Sequence, residues 1–243
     1  MRHIKLSTKP VELSEEVQED LTRTFLDDHS KRVWNQPYIK TALLEMTHHK
    51  CAYSEVVLGE NSSYMEIDHF YPKSLYPDKV VEWGNLIPCC KTSNIKKGNT
   101  DPVKISLINP FTDEPAKHIA YEGALCRGLD EKGKNSVFYY DLNNLQFKKP
   151  RFDAILRNQK GLEMLSEECT PSELVDNKLR RFYARLEAIL QSGQPTEPYS
   201  VCIATGIKNN PNYIKIKTTL DDLGLWNSKL TRLHHGLDDR VSS

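Results

Sequence analysis

The sequence predicts an α+β fold that is predominantly α-helical, with one short β-containing module embedded in a helical frame. Apolar residues recur at helical spacing near both ends of the chain. That spacing is lost after residue 50, where segments 51–58 and 64–70 are short and rich in β-prone residues. We therefore expect an N-terminal helical segment (1–49), a central module (50–115) and a mixed, then helical, region (116–243).

The composition is typical of a soluble globular protein. The chain has 243 residues, 38% of them hydrophobic, and 33 basic residues balance 33 acidic ones. No apolar run approaches the roughly 20 residues of a membrane span, and the N-terminus lacks the apolar stretch of a secretory signal. We expect a cytoplasmic protein without a membrane partner. The six cysteines are scattered, which favours free thiols or metal ligands over disulfides.

Two amphipathic helices are predicted before the central module. Ser14 precedes an acidic run, as an N-cap does, so the first helix is expected at about residues 14–28. Pro37 suits the first turn of a second helix that ends near His48 and His49. We interpret this histidine pair as polar residues at a helix end, and metal ligation is the less favoured alternative.

The central module begins with two β-prone segments, 51–58 and 64–70. The GENSS sequence between them predicts a hairpin or a knuckle followed by a strand. Successive side chains of a strand point to opposite faces, so Asp68 and His69 are expected to face opposite ways. Both can serve one site only near the end of the strand.

A loop and a short helix follow this strand. The loop is long enough to bring Asn85 back across the strand. After Pro88 the sequence predicts a short helix that ends at Gly98. Asn94 and Lys97 are three residues apart and are therefore expected on one face of that helix.

The remainder of the chain is predicted to change from mixed to helical structure. Residues 101–144 are expected to form strands or irregular structure, and VFYYDL (137–142) is β-prone. From Arg151 the pattern is helical, with a strong apolar stripe over residues 174–190. The basic, aromatic run 178–187 would suit nucleic-acid contact, but an amphipathic helix with solvated arginines is the favoured interpretation.

Four side chains of the central module form a candidate site for phosphodiester hydrolysis. That reaction needs a nucleophilic water, a cation near the phosphate and a rigid scaffold. Asp68 and Asn94 offer oxygen ligands that suit Mg²⁺ or a similar divalent ion such as Mn²⁺. His69, with an ordinary pKa of about 6.5, can accept a proton from water. Asn85 would orient that imidazole by a hydrogen bond.

Two lysines and the spacing of the motif support the same prediction. Lys96 and Lys97 would contact phosphates as point charges. Each part alone has an ordinary explanation: the Asp-His pair can occur by chance, and lysines in a last helical turn are favoured by the helix dipole. Their order and spacing within one short segment favour a nuclease.

These residues resemble the motif of HNH endonucleases, the ββα-metal family. In that family Asp-His lies on the first strand, an asparagine lies in the loop, and an asparagine or histidine lies on the helix. The resemblance implies that Asp68 and Asn94 are metal ligands, that His69 is the general base and that Asn85 is the structural asparagine.

The flanking sequences EIDHFYPKS, WGNLIPCC and SNIKKGN resemble the HNH subunit of Septu-type anti-phage systems, some of which accompany retrons. The resemblance implies an ABC-type or SMC-like ATPase partner (PtuA-like) and, in retron-associated systems, a reverse transcriptase with its msDNA. It also implies a nucleic-acid substrate, either DNA or structured RNA such as tRNA. The helices within residues 116–243 would then provide the docking surface for the ATPase.

Many relatives carry two CxxC pairs that hold a structural zinc. Here the corresponding positions pair Cys51 with Ser54 and Cys90 with Ser93. A serine hydroxyl is a poor zinc ligand compared with a thiolate. We therefore expect no structural Zn²⁺ and interpret Cys51 and Cys90 as remnants of the site. The alternative is substitution by Cys89 or by the histidines at 48 and 49.

Two functions are compatible with the sequence. The first is a metal-dependent endonuclease, and the alternative is a catalytically silent nucleic-acid-binding or adaptor subunit that keeps the scaffold. Retention of all four motif residues favours the endonuclease. Nothing in the sequence distinguishes DNA from RNA as the substrate, because a one-metal site recognises backbone geometry.

Overall fold

The computed structural model describes residues 1–59 and 64–238. These residues contain two small sheets of two strands each, and the helical content is 51%. The prediction of an α+β, mainly helical fold is confirmed. The predicted GENSS turn falls on residues 59–63 and lies, apart from Gly59, outside the described residues. No helix in the described part of the chain combines the length and apolarity that crossing a membrane requires.

The chain divides into two compact units. The first contains Met1–Ala120 and Cys126–Asn144, and the second contains Tyr121–Leu125 and the chain from Leu145 onward. The described elements of the first unit, in order, are α1 (Glu15–Asp27), α2 (Pro37–Met46), β1 (Met65–His69), β2 (Leu86–Cys90), α3 (Lys91–Lys97), α4 (Pro115–His118) and α5 (Glu131–Tyr139). A short hairpin precedes α5 and consists of β3 (Ile119–Glu122) and β4 (Leu125–Gly128). The described helices of the second unit are α6 (Leu145–Glu168), α7 (Asp176–Ser192), α8 (Ser200–Lys208), α9 (Pro211–Asp222) and α10 (Ser228–Gly236).

The first two helices begin and end at the predicted signals. The Ser14 hydroxyl accepts a hydrogen bond from the backbone N–H of Val17, which caps α1. Pro37 occupies the first turn of α2, where its missing N–H costs nothing. His48 and His49 have φ angles of 51° and 57°, a left-handed conformation that ends the helix.

The N-terminal helices and the central strand share one hydrophobic core in the first unit. The apolar faces of α1 and α2, the segments that precede each of them, β1, the loop after it and the start of β2 all contribute to this core. Burial of these side chains fixes the loop between β1 and β2, which includes the short 3₁₀ turns Pro77–Lys79 and Trp83–Asn85. The buried members are Leu13, Phe25, Val33, Trp34, Ile39, Leu43, Ile67, Val80, Val81, Trp83 and Leu86.

The strand β2 was not predicted, because Pro88 lies in its middle. Pro88 pairs with Ile67 in the antiparallel register of β1 and β2. Its carbonyl accepts a hydrogen bond from the N–H of Ala52, at 2.9 Å, on the edge of β2 away from β1. The missing N–H of Pro88 points to the same outer edge, so the proline removes no bond between the strands.

The prediction of strands or irregular structure over residues 101–144 agrees with β3, β4 and the turn at 140–142, but it is wrong at Val137–Tyr139, which lie in α5. The helix α5 ends at Tyr139, and its N-cap is Asp130. The Asp130 carboxylate accepts a hydrogen bond from the N–H of Gly133 at 2.7 Å. The hydroxyl of buried Ser136 also accepts the N–H of Ile108 at 2.8 Å. A local cap and tertiary contacts therefore override the β-propensity of the aromatic residues.

The amphipathic interpretation of the run 178–187 agrees with the packing of α7. Phe182 is buried, and the hydroxyl of Tyr183 donates to the carbonyl of Leu225 at 2.6 Å. Arg185 forms an ion pair with Glu168. These three side chains of the run are thus engaged within the second unit.

Candidate active site

The site is built on β1, β2 and α3. In the antiparallel sheet Glu66 lies opposite Cys89 and Asp68 lies opposite Ile87. Glu66 and Asp68 are two residues apart, so they share the face of β1 that is turned towards α3. From α3, Asn94 contacts Glu66 and Lys97 contacts Asp68. Strand and helix are therefore joined by two neighbouring polar pairs.

Asp68 is buried and has two hydrogen-bond donors. The Tyr53 hydroxyl donates to Oδ2 at 2.6 Å, and the Lys97 ammonium donates to Oδ1 at 2.9 Å. Burial raises the pKa of the Asp68 carboxyl, while the charge of Lys97 and the hydrogen bond from Tyr53 oppose that shift. The two donors stabilise the carboxylate form and hold it in one orientation.

Lys97 has an internal position rather than a surface one. Its side chain is fully buried, and its ammonium also donates to the backbone carbonyl of His69 at 2.7 Å. The expected contact between Lys97 and a phosphate does not agree with this burial. Lys96 is exposed, and its ammonium lies 4.3 Å from the centroid of the Phe138 ring, so it stays a candidate for phosphate contact.

Asn94 is half-buried, and Glu66 fixes its amide. Asn94 Nδ2 lies 2.6 Å from Glu66 Oε2. An ionised carboxylate can only accept hydrogen bonds, so the amide turns its NH₂ group towards Glu66. Glu66 was missed in the sequence, although the two-residue period of a strand places it beside Asp68.

His69 lies on the opposite face of β1 from Asp68, as predicted. Its Nε2 lies 2.9 Å from the backbone carbonyl of Val80, and its ring meets the edge of Trp34 at a centroid distance of 4.9 Å. A carbonyl only accepts, so Nε2 carries the proton and Nδ1 has the lone pair. Burial lowers the pKa of His69 to about 4, which keeps the imidazole neutral at pH 7.

Asn85 holds the loop between the two strands. Its Oδ1 accepts from the N–H of Tyr71 at 2.7 Å, and its Nδ2 donates to the carbonyls of Tyr71 and Lys79. The expected hydrogen bond from Asn85 to the imidazole is therefore wrong. Asn85 instead fixes the chain at Lys79, next to the Val80 carbonyl that orients His69.

Lys73 is a second residue that the sequence did not single out. Its ammonium lies 4.9 Å from the centroid of the Trp34 ring, which also packs against His69. Burial lowers the pKa of Lys73, and the charge of Asp68 opposes this shift. Lys73 thus places a positive charge on the His69 side of the site, and no sequence pattern distinguishes it from other lysines.

The four positions that correspond to the zinc ligands of relatives (Cys51, Ser54, Cys90 and Ser93, here called the knuckle) lie close together. Cys90 Sγ lies 3.8 Å from Ser54 Oγ and 3.6 Å from Ser93 Oγ, and it is hydrogen-bonded to Cys51. Burial raises the pKa of the Cys51 thiol, whereas the hydrogen bond from Cys51 lowers the pKa of Cys90 to about 6. Hydrogen bonds therefore stabilise one thiolate inside this cluster.

The knuckle does not fit a zinc ion. Two cysteine sulfurs and two serine hydroxyls are a poor donor set compared with four thiolates or imidazoles. Among residues 1–59 and 64–238, no three His, Cys, Asp or Glu side chains are placed to hold a metal together. The geometry therefore gives no support to substitution by Cys89 or by the histidines at 48 and 49.

The donors at Asp68 and Asn94 have the chemistry that a hard divalent ion prefers. A carboxylate has about four acceptor sites, and Tyr53 and Lys97 use only two of them. Together with the free oxygen of the Asn94 amide this gives an all-oxygen donor set, which suits Mg²⁺ or Mn²⁺ that retains several waters. The Lys97 ammonium lies 2.9 Å from Asp68 Oδ1, so one oxygen of this carboxylate is paired with a protein cation.

The fold and the site together define an HNH-type nuclease module. Two antiparallel strands followed by a short helix, with Asp-His on the first strand and an asparagine on the helix, form the ββα-metal arrangement. Residues 51–103 match the family model described as HNH endonuclease.

Comparison with curated proteins extends this assignment to the whole chain. The chain is 37% identical over 238 residues to the Septu protein PtuB of Bacillus thuringiensis, with 96% of this chain and 92% of that protein covered. It is 26% identical over 146 residues to the Septu protein PtuB of Bacillus mycoides (strain KBAB4), with 46% of this chain and 49% of that protein covered. No solved structure gave a significant match. The chain belongs to the PtuB family of HNH endonucleases.

Proposed function

We propose that this chain is a metal-dependent endonuclease that hydrolyses phosphodiester bonds of DNA or of structured RNA such as tRNA. We further propose that it is the effector subunit of a Septu-type anti-phage complex in the cytoplasm. The observation that supports the endonuclease best is the fixed, neutral imidazole of His69 at the end of the strand that bears Asp68.

His69 is the proposed general base. The Val80 carbonyl holds the Nε2–H, which leaves the Nδ1 lone pair to accept a proton from the attacking water. Because burial keeps the ring neutral at pH 7, this lone pair is available without prior deprotonation. Asn85 stabilises the loop that supplies the Val80 carbonyl, so its role is in orienting the base.

Asp68 and Asn94 are the proposed ligands of a Mg²⁺ or Mn²⁺ ion. When bound, such an ion polarises the phosphate and lowers the pKa of a bound water. Tyr53 and Lys97 keep the Asp68 carboxylate ionised and in place. Lys73 on the His69 side and Lys96 at the surface of α3 would balance phosphate charge.

The proposed partners follow from the relatives named Septu protein PtuB. We propose an ABC-type or SMC-like ATPase as the partner subunit, docked on the helices within residues 116–243. In a retron-associated system, a reverse transcriptase with its msDNA would join the complex.

The function is tested by incubating the purified protein, with and without the proposed ATPase subunit, with labelled DNA and total RNA. Cleavage is expected in Mg²⁺ and is expected to be lost in EDTA. His69→Ala is expected to lower the cleavage rate at least 100-fold, because general-base catalysis contributes about 10²–10⁴-fold. His29→Ala is the matched control, since His29 is exposed and lies outside both the site and the proposed docking helices.

A different result for the His69→Ala variant would support the alternative function of a catalytically silent adaptor. If His69→Ala folds, binds the ATPase and retains full cleavage or full protection against phage, the imidazole is not the base. The adaptor function would then replace the endonuclease.

A further inference from the structure

We propose that Glu66 is a positioning residue that orients the Asn94 amide so that its oxygen faces the catalytic ion. This inference rests on the proposed function, because it assigns a task to a residue outside the Asp68, His69, Asn85 and Asn94 set. Glu66 and Asn94 are in direct contact, with Oε2 and Nδ2 separated by 2.6 Å.

The physical reason lies in the near symmetry of an amide. Rotation of the terminal amide of Asn94 by 180° exchanges oxygen and nitrogen with almost no change in shape. A hard cation binds the oxygen and is repelled by the NH₂ group. The protein must therefore select one of the two orientations before the ion binds.

Glu66 makes that selection as a hydrogen-bond acceptor. Its carboxylate can only accept, so it attracts the NH₂ group of Asn94 and repels the oxygen. Both residues are held on regular elements, because Glu66 lies on β1, opposite Cys89, and Asn94 lies in the middle of α3. The same face of β1 presents Asp68, so the selected oxygen and the Asp68 carboxylate belong to one side of the strand.

Burial distinguishes the two carboxylates on this face. Asp68 is only 4% exposed and is held by Tyr53 and Lys97, whereas Glu66 and Asn94 are both half-buried. The Glu66–Asn94 pair is therefore at the more open end of the face. A change at Glu66 is expected to alter ion binding without removing a fully buried charge.

The first measurement is a titration of the full-length chain with Mn²⁺, in which binding is monitored through the loss of the EPR signal of the free ion. The second is the dependence of the cleavage rate on Mg²⁺ concentration. Glu66→Ala is expected to weaken Mn²⁺ binding by about tenfold or more, the effect typical of residues that orient a metal ligand. Glu66→Gln can still accept the Asn94 hydrogen bond through its amide oxygen, so its loss is expected to be several-fold smaller. For both variants, saturating Mg²⁺ is expected to restore the maximal cleavage rate.

Glu45→Ala is the matched control, because it removes the same charge from an exposed position on α2. The melting temperatures of all variants are compared to exclude misfolding, and Glu66→Gln provides a variant of unchanged size. Equal Mn²⁺ affinity of wild type and Glu66→Ala would overturn the inference alone and leave the proposed function intact. Equal losses in Glu66→Gln and Glu66→Ala would also overturn it, because the negative charge rather than the hydrogen bond would then matter. Absence of Mn²⁺ binding by the wild type would overturn both proposals.

Discussion

Asp68 and Lys97 form a buried charge pair within the candidate site. Both side chains are almost completely removed from solvent, and Lys97 Nζ lies 2.9 Å from Asp68 Oδ1. The Coulomb energy of such a pair offsets the cost of burying each charge, so the loss of one partner leaves an uncompensated charge. Lys97 therefore supports the carboxylate that we propose as a metal ligand, instead of contacting the substrate.

The buried pair of Asp68 and Lys97 is expected to contribute to the free energy of unfolding. Lys97→Met is expected to lower the free energy of unfolding by about 3–5 kcal/mol, because Asp68 would be left as a buried, unpaired charge. Denaturant unfolding followed by circular dichroism measures this loss. The double variant Lys97→Met/Asp68→Asn is expected to be more stable than the single variant, since the uncompensated charge is gone.

Lys96→Met is the control for this measurement. Lys96 is exposed, so the loss of its charge is expected to cost less than about 1 kcal/mol. A loss below 1 kcal/mol for Lys97→Met as well would contradict the proposed support of Asp68 by Lys97.

The elements differ in how far the sequence predicted them. The limits of α1 and α2 were predictable because the cap at Ser14, the proline at 37 and the histidines at 48 and 49 act locally. The strand β2 was not predicted, because a proline is compatible with a strand only when its missing N–H lies on the edge that does not pair with the neighbouring strand, and the sequence does not show which edge is paired. The short helix α5 was missed because its aromatic residues favour strands and its cap at Asp130 was overlooked.

The sequence nominates the candidate site as a set of residues, but it does not predict the contacts between them. The order of Asp68, His69, Asn85 and Asn94 in the sequence was sufficient to nominate them. The pairing of Asn94 with Glu66, and of Lys97 with Asp68, depends on how α3 packs on β1. Packing between elements is a tertiary property, and no local pattern encodes it.

The knuckle formed by Cys51, Ser54, Cys90 and Ser93 can be used to test whether a zinc site can be restored. Ser54→Cys/Ser93→Cys is expected to bind one zinc per chain, because it restores four thiolates at positions that already converge. Metal analysis after dialysis, and the absorption bands of a Co²⁺-substituted sample, measure the effect. The melting temperature is expected to rise when zinc is bound.

The wild type and Ser54→Ala/Ser93→Ala are the controls, and both are expected to lose zinc on dialysis. Stoichiometric zinc that stays bound to the wild type would falsify the interpretation of a vacated site. A double cysteine variant that folds but binds no zinc would show that the four positions are not suitably placed.

At the scale of the whole molecule, charge and architecture suggest a division of tasks. The 33 basic and 33 acidic residues cancel, so we propose that contact with nucleic acid depends on local groups such as Lys73 and Lys96. The proposed catalytic residues all lie in the first compact unit, whereas the second unit consists mainly of helices α6–α10. A nuclease module needs no such helical frame for chemistry alone, which supports the proposal of a docking surface there.

Hydrogen exchange tests this proposal on the intact chain. Addition of the ATPase subunit is expected to slow amide exchange within residues 145–238, because a docked partner excludes solvent and suppresses local opening. Exchange in α1 and α2 is expected to stay unchanged and serves as the internal control. Protection confined to residues 1–49 would place the partner on the first unit and contradict the proposal.

The central claim is that Asp68 and Asn94 share one divalent ion beside His69. Anomalous diffraction from crystals of the full-length chain grown with Mn²⁺ tests it most directly. We predict an anomalous peak within about 2.0–2.4 Å of one carboxylate oxygen of Asp68 and of Asn94 Oδ1, with His69 Nδ1 facing a water near that ion. A fully bound Mn²⁺ ion that contacts neither Asp68 nor Asn94 would contradict it.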